Sequence, residues 1–148
     1  MKIILLTFTI LLLAVSCDLK TSEYYNSEAE KLEKEGKYEE AIVLLDKAIE
    51  KDPKNIYALL NRAVDKSMLE DYEGAISDYT KVLEIDSDNT LAYFNRGNNK
   101  QRLDDYNGAI IDYNDAIETK GGEGLYIESA NNPYSENYEF DVLMEEIK

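Results

Sequence analysis

Apolar residues along the middle of this chain recur at helical spacing. From Tyr38 they fall at Ala41, Ile42, Leu45, Ala48 and Ile49, steps of three and four that place them on one stripe of a helix with 3.6 residues per turn. Charged and polar residues fill the intervening places. The stripe returns as Tyr72, Ala75, Ile76, Tyr79, Val82 and Leu83, and again as Tyr106, Ala109, Ile110, Tyr113, Ala116 and Ile117, each copy 34 residues after the last. The pattern predicts helices over roughly Tyr38–Lys51, Tyr72–Ile85 and Tyr106–Thr119. A second helical run precedes each, ending near Glu35, Leu69 and Leu103.

Repetition at a fixed interval is the mark of a solenoid, in which no unit buries its own apolar face and each must stack on a neighbour. Ala29, Ala63 and Gly97 recur in the first helices, and Ala41, Ala75 and Ala109 in the second. Small side chains at matching places let the two backbones of a unit approach closely, with Tyr and Leu filling the space on either side. Asp52-Pro53-Lys54-Asn55 and Asp86-Ser87-Asp88-Asn89 supply turn and N-cap chemistry between units, and Pro53 cannot extend the helix before it.

These residues resemble the tetratricopeptide repeat, a 34-residue helical hairpin. The third unit carries the pattern best, in Ala92-Tyr93-Phe94-Asn95-Arg96-Gly97 and Asp105-Tyr106-Asn107-Gly108-Ala109-Ile110-Ile111-Asp112-Tyr113. Ser87 and Gly121 stand where the family prefers Pro, and Glu28 replaces its usual Leu. The resemblance implies an all-α, right-handed superhelical array of three helix-turn-helix units, approximately 22–55, 56–89 and 90–123. It also implies a concave groove lined by the first helices, which holds an extended or helical peptide. The groove places fall on Glu23, Asn26, Glu30 and Glu33, on Tyr57, Leu60, Asn61, Val64 and Ser67, and on Leu91, Phe94, Asn95, Asn98 and Gln101. Packing between adjacent first helices is an equally weighted role for Leu60, Val64, Leu91 and Phe94. One subfamily clamps chaperone C-terminal carboxylates with Lys, Asn and Arg; its places hold Asn26, Glu30, Asn61, Leu91 and Asn95 here, so only Asn61 agrees. No chaperone-tail carboxylate clamp is therefore expected.

The N-terminus reads Met1-Lys2, an apolar run from Ile3 to Val15, then Ser16-Cys17. One positive charge, about a dozen apolar residues and a small residue describe a secretory signal. Thirteen helical residues reach only about 20 Å, short of a hydrocarbon core of roughly 30 Å. Leu13-Ala14-Val15-Ser16-Cys17 resembles a bacterial lipobox, with Ala14 where Leu is commoner. The reading is a signal peptide over 1–16, lipidation of Cys17 and a tether over 17–21, holding the repeats near an extracytoplasmic membrane surface of the bacterial cell envelope. An ordinary signal peptide with an incidental Cys17 is the alternative. After Lys120 the repeat pattern stops. Gly121-Gly122-Glu123-Gly124 breaks the helix, and 121–148 reads as an irregular tail. Phe140, Leu143, Met144 and Ile147 return to helical spacing from about Asn137, either as a capping helix or as the opening of a fourth unit.

The formal charge is −15, and loss of 1–16 with its single Lys2 makes it −16. That disfavours nucleic acid, whose phosphates require Lys and Arg clusters, and speeds the approach of basic protein or peptide partners. With no His, no Trp and a single Cys, the usual zinc and haem ligands are missing, and neither a metal nor a cofactor is expected. Asp86-Ser87-Asp88-Asn89 fails as a calcium loop, because Leu91 and Gly97 stand at its Gly and Glu places. The leading function is a non-catalytic, lipid-anchored scaffold that holds a partner protein. Self-association through the repeat ends is a second reading. A third is a hydrolase using carboxylates such as Asp112 and Asp115, which the helix is expected to leave solvated.

Overall fold

The computed structural model describes residues 20–119. Among them run six helices, α1 (Ser22–Lys34), α2 (Tyr38–Lys51), α3 (Ile56–Met68), α4 (Tyr72–Ile85), α5 (Thr90–Arg102) and α6 (Tyr106–Glu118). They pair as three antiparallel hairpins, α1 with α2, α3 with α4 and α5 with α6, and each hairpin packs on the next. The all-α array expected from the repeat is the observed one. The segments 1–19 and 120–148, with the expected signal, Cys17 and the tail helix, lie outside the described residues.

Local chemistry starts and stops each helix. Thr21, Asn55 and Asn89 cap α1, α3 and α5 by accepting hydrogen bonds from the backbone N–H of Tyr24, Ala58 and Ala92. Asp71 and Asp105 do the same for α4 and α6, accepting from Gly74 and Gly108. Inside each hairpin the turn needs one residue in the left-handed region. Gly36 (φ 72°) holds that place in the first unit, but Glu70 (φ 63°) and Asp104 (φ 60°) hold it in the others, a conformation that costs an L-residue about 1 kcal/mol or more.

The core follows the small-residue register. Ala29 and Ala41 are buried in one cluster with Leu45, Ala48 and Ala58. Ala63 and Ala75 share the next with Leu59, Tyr79, Val82, Leu83 and Ala92. Gly97 is buried where a Cβ would stand 2.6 Å from Tyr113 Cε1, so the third hairpin closes on a place with no room for a methyl group. Clusters that include residues of the following unit, such as Ala58 and Ala92, tie the hairpins into one continuous core.

Polar pairs also close the first and third units. Ser22 Oγ donates to the Ala48 carbonyl at 2.8 Å and accepts from Asn55 Nδ2 at 2.7 Å. In the third unit the Thr90 and Thr119 hydroxyls bond one another, and Thr119 also donates to the Ala116 carbonyl at 2.7 Å.

Candidate functional site

The odd-numbered helices form one wall. α1 contacts α3 directly, and α3 reaches α5 through Ser67 Oγ, which donates to Asn99 Oδ1 at 2.6 Å. Asn99 is buried, and its Nδ2 donates to the Asn95 carbonyl at 2.7 Å.

Along this wall the expected groove residues separate into exposed, half-buried and buried sets. Tyr57 (75% exposed), Leu91 (51%) and Val64 (43%) present apolar surface, and Glu23 and Glu30 are exposed beside them. Asn26, Leu60, Asn61, Asn95, Asn98 and Gln101 are half-buried. Asn61 Nδ2 donates to Asn26 Oδ1 at 3.3 Å, and Asn26 Nδ2 to Glu30 Oε1 at 3.0 Å, a relay running from α3 to α1. Leu60 packs against the second core cluster. Phe94 is buried against Tyr113, ring centroids 5.8 Å apart, so its side chain belongs to the core of the third unit. Asn98 and Gln101 both accept from the Tyr113 hydroxyl, at 2.8 and 2.9 Å. Between the second and third units the wall opens into a cavity of about 390 Å³ lined by Ser67, Tyr72, Asn98, Asn99 and Arg102, among others.

Sequence reasoning missed the charged network behind the wall. Arg62 on α3 donates to both oxygens of Asp78 on α4, from Nε at 2.8 Å and Nη2 at 2.6 Å, and Nη1 reaches Asp46 on α2 at 2.6 Å. Lys66 adds a further bond to Asp78 at 2.7 Å. The third unit repeats the arrangement with Arg96, Lys100 and Asp112. Asp112 is wholly buried, so the solvated carboxylate expected there is instead one end of an ion pair, committed to two cations. Burial alone would raise the Asp78 pKa, but the hydrogen bonds from Arg62 and Lys66 outweigh it and hold the carboxyl below its ordinary value. A signal for this network was present, because Arg, Lys and Asp all recur at intervals of 34.

A different situation holds between α1 and α3. Asp65 Oδ2 and Glu33 Oε1 are buried, and neither has a hydrogen-bond partner. Burial, followed by the Glu33 charge, pushes Asp65 up to about 7. Burial and then Glu30 raise Glu33 as well. Among the described residues no group of three or more His, Cys, Asp or Glu is placed to hold a metal ion, and no helix is long and apolar enough to cross a membrane.

Family models and solved structures agree on what this array is similar to. A model described as TPR repeat matches residues 32–64 and 69–104, and one described as Tetratricopeptide repeat matches 91–121. Among curated proteins nothing matches. The first TPR of Spaghetti (RPAP3), bound to HSP90 peptide SRMEEVD, is 25% identical over 88% of this chain and 97% of its own, with a TM-score of 0.70. The second TPR of Spaghetti (RPAP3), bound to the same peptide, is 28% identical over 66% of this chain and 91% of its own, with a TM-score of 0.64. The second TPR domain of human RPAP3, in complex with HSP70 peptide SGPTIEEVD, is 28% identical over 66% of this chain and 82% of its own, with a TM-score of 0.63.

These structures correct the exclusion of a chaperone tail. That exclusion compares five side chains one by one and finds agreement at Asn61 alone, yet domains with this same array of helices hold EEVD peptides. The physical reason is that a peptide meets a whole wall of helices. Here that wall builds Asn61 and Asn26 into one amide relay, whose groups both donate to and accept from a peptide.

Proposed function

The chain belongs to the tetratricopeptide-repeat family, and on that premise we propose that it is a protein-interaction scaffold whose odd-helix wall holds a peptide segment of a partner. One observation carries this reading. Tyr57, Val64 and Leu91 expose apolar surface on the same wall that carries the Asn61–Asn26 amide relay, so apolar burial and backbone hydrogen bonding are available to one extended ligand. Repeat domains of this kind are interaction modules. The buried, doubly paired state of Asp112 speaks against its service as an acid or base.

A chaperone tail is the second reading of the ligand, favoured by the similar domains that hold SRMEEVD and SGPTIEEVD. Titrating each peptide against the whole chain, followed by amide chemical shifts, separates the two. Saturable shifts confined to α1, α3 and α5 identify an EEVD ligand. Without them, a photo-crosslinker at Tyr57 that captures a defined protein, where one at Val43 on α2 does not, supports a different peptide. Capture independent of position overturns the groove.

The remaining part of the proposal is placement. Leu13-Ala14-Val15-Ser16-Cys17 supports lipidation of Cys17, and two or more acyl chains would anchor the scaffold stably. Residues 18–21 span about 14 Å at most, so the wall would work close to an extracytoplasmic membrane face of a bacterial envelope.

A further inference from the structure

The repeat sets an internal standard for the contact between adjacent first helices, and the first joint departs from it. At the second joint, Ser67 on α3 donates to Asn99 on α5, and the Tyr79 hydroxyl lies close to Ser67 and Asn95. Stepping back 34 residues replaces Ser67 by Glu33, Asn99 by Asp65 and Tyr79 by Leu45. Both hydrogen-bonding partners have become carboxyls, and the hydroxyl that would satisfy them is gone. Glu33 Oε1 and Asp65 Oδ2 are consequently buried without a partner, with Asp65 only 1% exposed.

Asp65 is buried and Glu33 half-buried with its Oε1 enclosed, and two carboxylates so placed repel one another and lose part of their hydration. A single proton between them removes the repulsion and turns one carboxyl into a donor for the other, the bond that Ser67 and Asn99 make at the second joint. The neighbouring cations of α3 are committed elsewhere. On α3 itself Arg62 and Lys66 turn to Asp78 of α4, and α2 brings Asp46, which takes Arg62 Nη1. α1 supplies Glu30, which raises the Glu33 pKa, and Lys34, which lowers it more weakly. α5 offers the amides of Asn95 and Asn99.

We propose that Glu33 and Asp65 form a one-proton joint between the first two repeats. With the proton held between them the α1–α3 contact is closed, and when it leaves to solvent the contact loosens at the end of the wall where Asn26 meets Asn61. The position of the Asp65 pKa, about 7, puts this change in the neutral range, so a modest acidification tightens the joint. Any effect on a bound peptide rests on the groove reading, but the joint itself is tested without a ligand.

The experiment uses the whole chain, with carboxyl-carbon NMR titration and amide hydrogen exchange. A carboxyl titrating near pH 7 in the parent and absent in Asp65→Asn is expected. After correction for intrinsic rates, α1 amides lose about tenfold in protection between pH 5.5 and 8.5, while those of α5 and α6 keep theirs. The double variant Glu33→Ser, Asp65→Asn copies the second joint and is expected to hold α1 protection constant over that range, which keeps the test decisive if the single variant folds poorly. Titration of every carboxyl below pH 5.5, uniform loss across all six helices, or an unchanged pH response in the double variant overturns the joint.

Discussion

Arg96 on α5 grips both oxygens of Asp112 on α6, with Nε at 2.9 Å and Nη2 at 2.6 Å. The pair is the 34-residue copy of Arg62 and Asp78. Each ties the two helices of a hairpin together at a point where the acid is buried and the guanidinium is shielded. The planar fork matches a carboxylate in a way that Lys does not.

Removing the acid leaves Arg96 and Lys100 without the buried carboxylate that both pair with. Asp112→Asn is expected to lower unfolding free energy by about 3–5 kcal/mol, measured by urea denaturation. Asp115→Asn, one helical turn further on and half-buried, is expected to cost less than about 1 kcal/mol. Equal losses at the two positions would show that the ion pair is not what distinguishes them.

The hairpin turns offer a gain. Glu70 sits at φ 63°, the place that Gly36 occupies at 72° in the first unit. Glu70→Gly relieves left-handed strain on a non-glycine residue and adds unfolded-state freedom that offsets part of the benefit. A net gain of up to about 1 kcal/mol is expected, read as a higher thermal midpoint; a loss would mean that Glu70 contributes more through its side chain than its backbone costs.

Much of this was legible in the residues. The helices Tyr38–Lys51 and Tyr72–Ile85 were bounded by their stripe and turns, and the small-residue register placed Ala63 beside Ala75. Periodicity reports which face of a helix is buried, and that is why it succeeds here. It does not report which polar residues are buried with that face, and so Asp112 reads as a solvated charge although it stands 34 residues after Asp78. Phe94 shows the same limit from the apolar side, because a large residue on the first helix can face the groove or the tyrosine of its own hairpin.

Acid works on the network in the opposite sense to its action at the first joint. Asp78 has a folded pKa below its ordinary 3.8, so its contribution is complete above about pH 4 and is lost as pH falls through the lower folded value. Asp65 has a raised pKa, so the stability tied to its protonated form is complete below about 3.8 and is lost as pH rises through about 7. The bound on that loss is about 4 kcal/mol, at 1.36 kcal/mol per pKa unit. Urea midpoints are expected to peak between pH 4 and 6 and to decline on both sides. In Asp65→Asn the decline toward pH 8 should flatten while the acid limb stays.

The proposed anchor is separable from the fold. Cys17→Ser removes the thiolate that would carry the lipid and leaves the sequence of residues 20–119 unchanged. Expressed in a bacterial host, the parent chain is expected to incorporate labelled palmitate and to sediment with membranes, and the variant to do neither. Incorporation that persists in Cys17→Ser would dismiss the lipobox reading and leave an ordinary signal.

Burial separates the groove from the core, and it does so for residues that look alike in sequence. Tyr57 and Phe94 both lie on odd helices at expected groove places, but Tyr57 is 75% exposed and Phe94 is 9% exposed. A charge at Tyr57 stays in water, so Tyr57→Asp is expected to leave the urea midpoint unchanged within about 0.5 kcal/mol while weakening a groove-bound peptide tenfold or more. A charge at Phe94 is forced against Tyr113 in the third unit. Phe94→Asp should therefore destabilise by at least about 3 kcal/mol and lose binding only through loss of fold. Isothermal titration at matched folded fraction distinguishes these outcomes. If Phe94→Asp stays folded and selectively loses the ligand, then that ring belongs to the binding surface and the division drawn by burial is wrong.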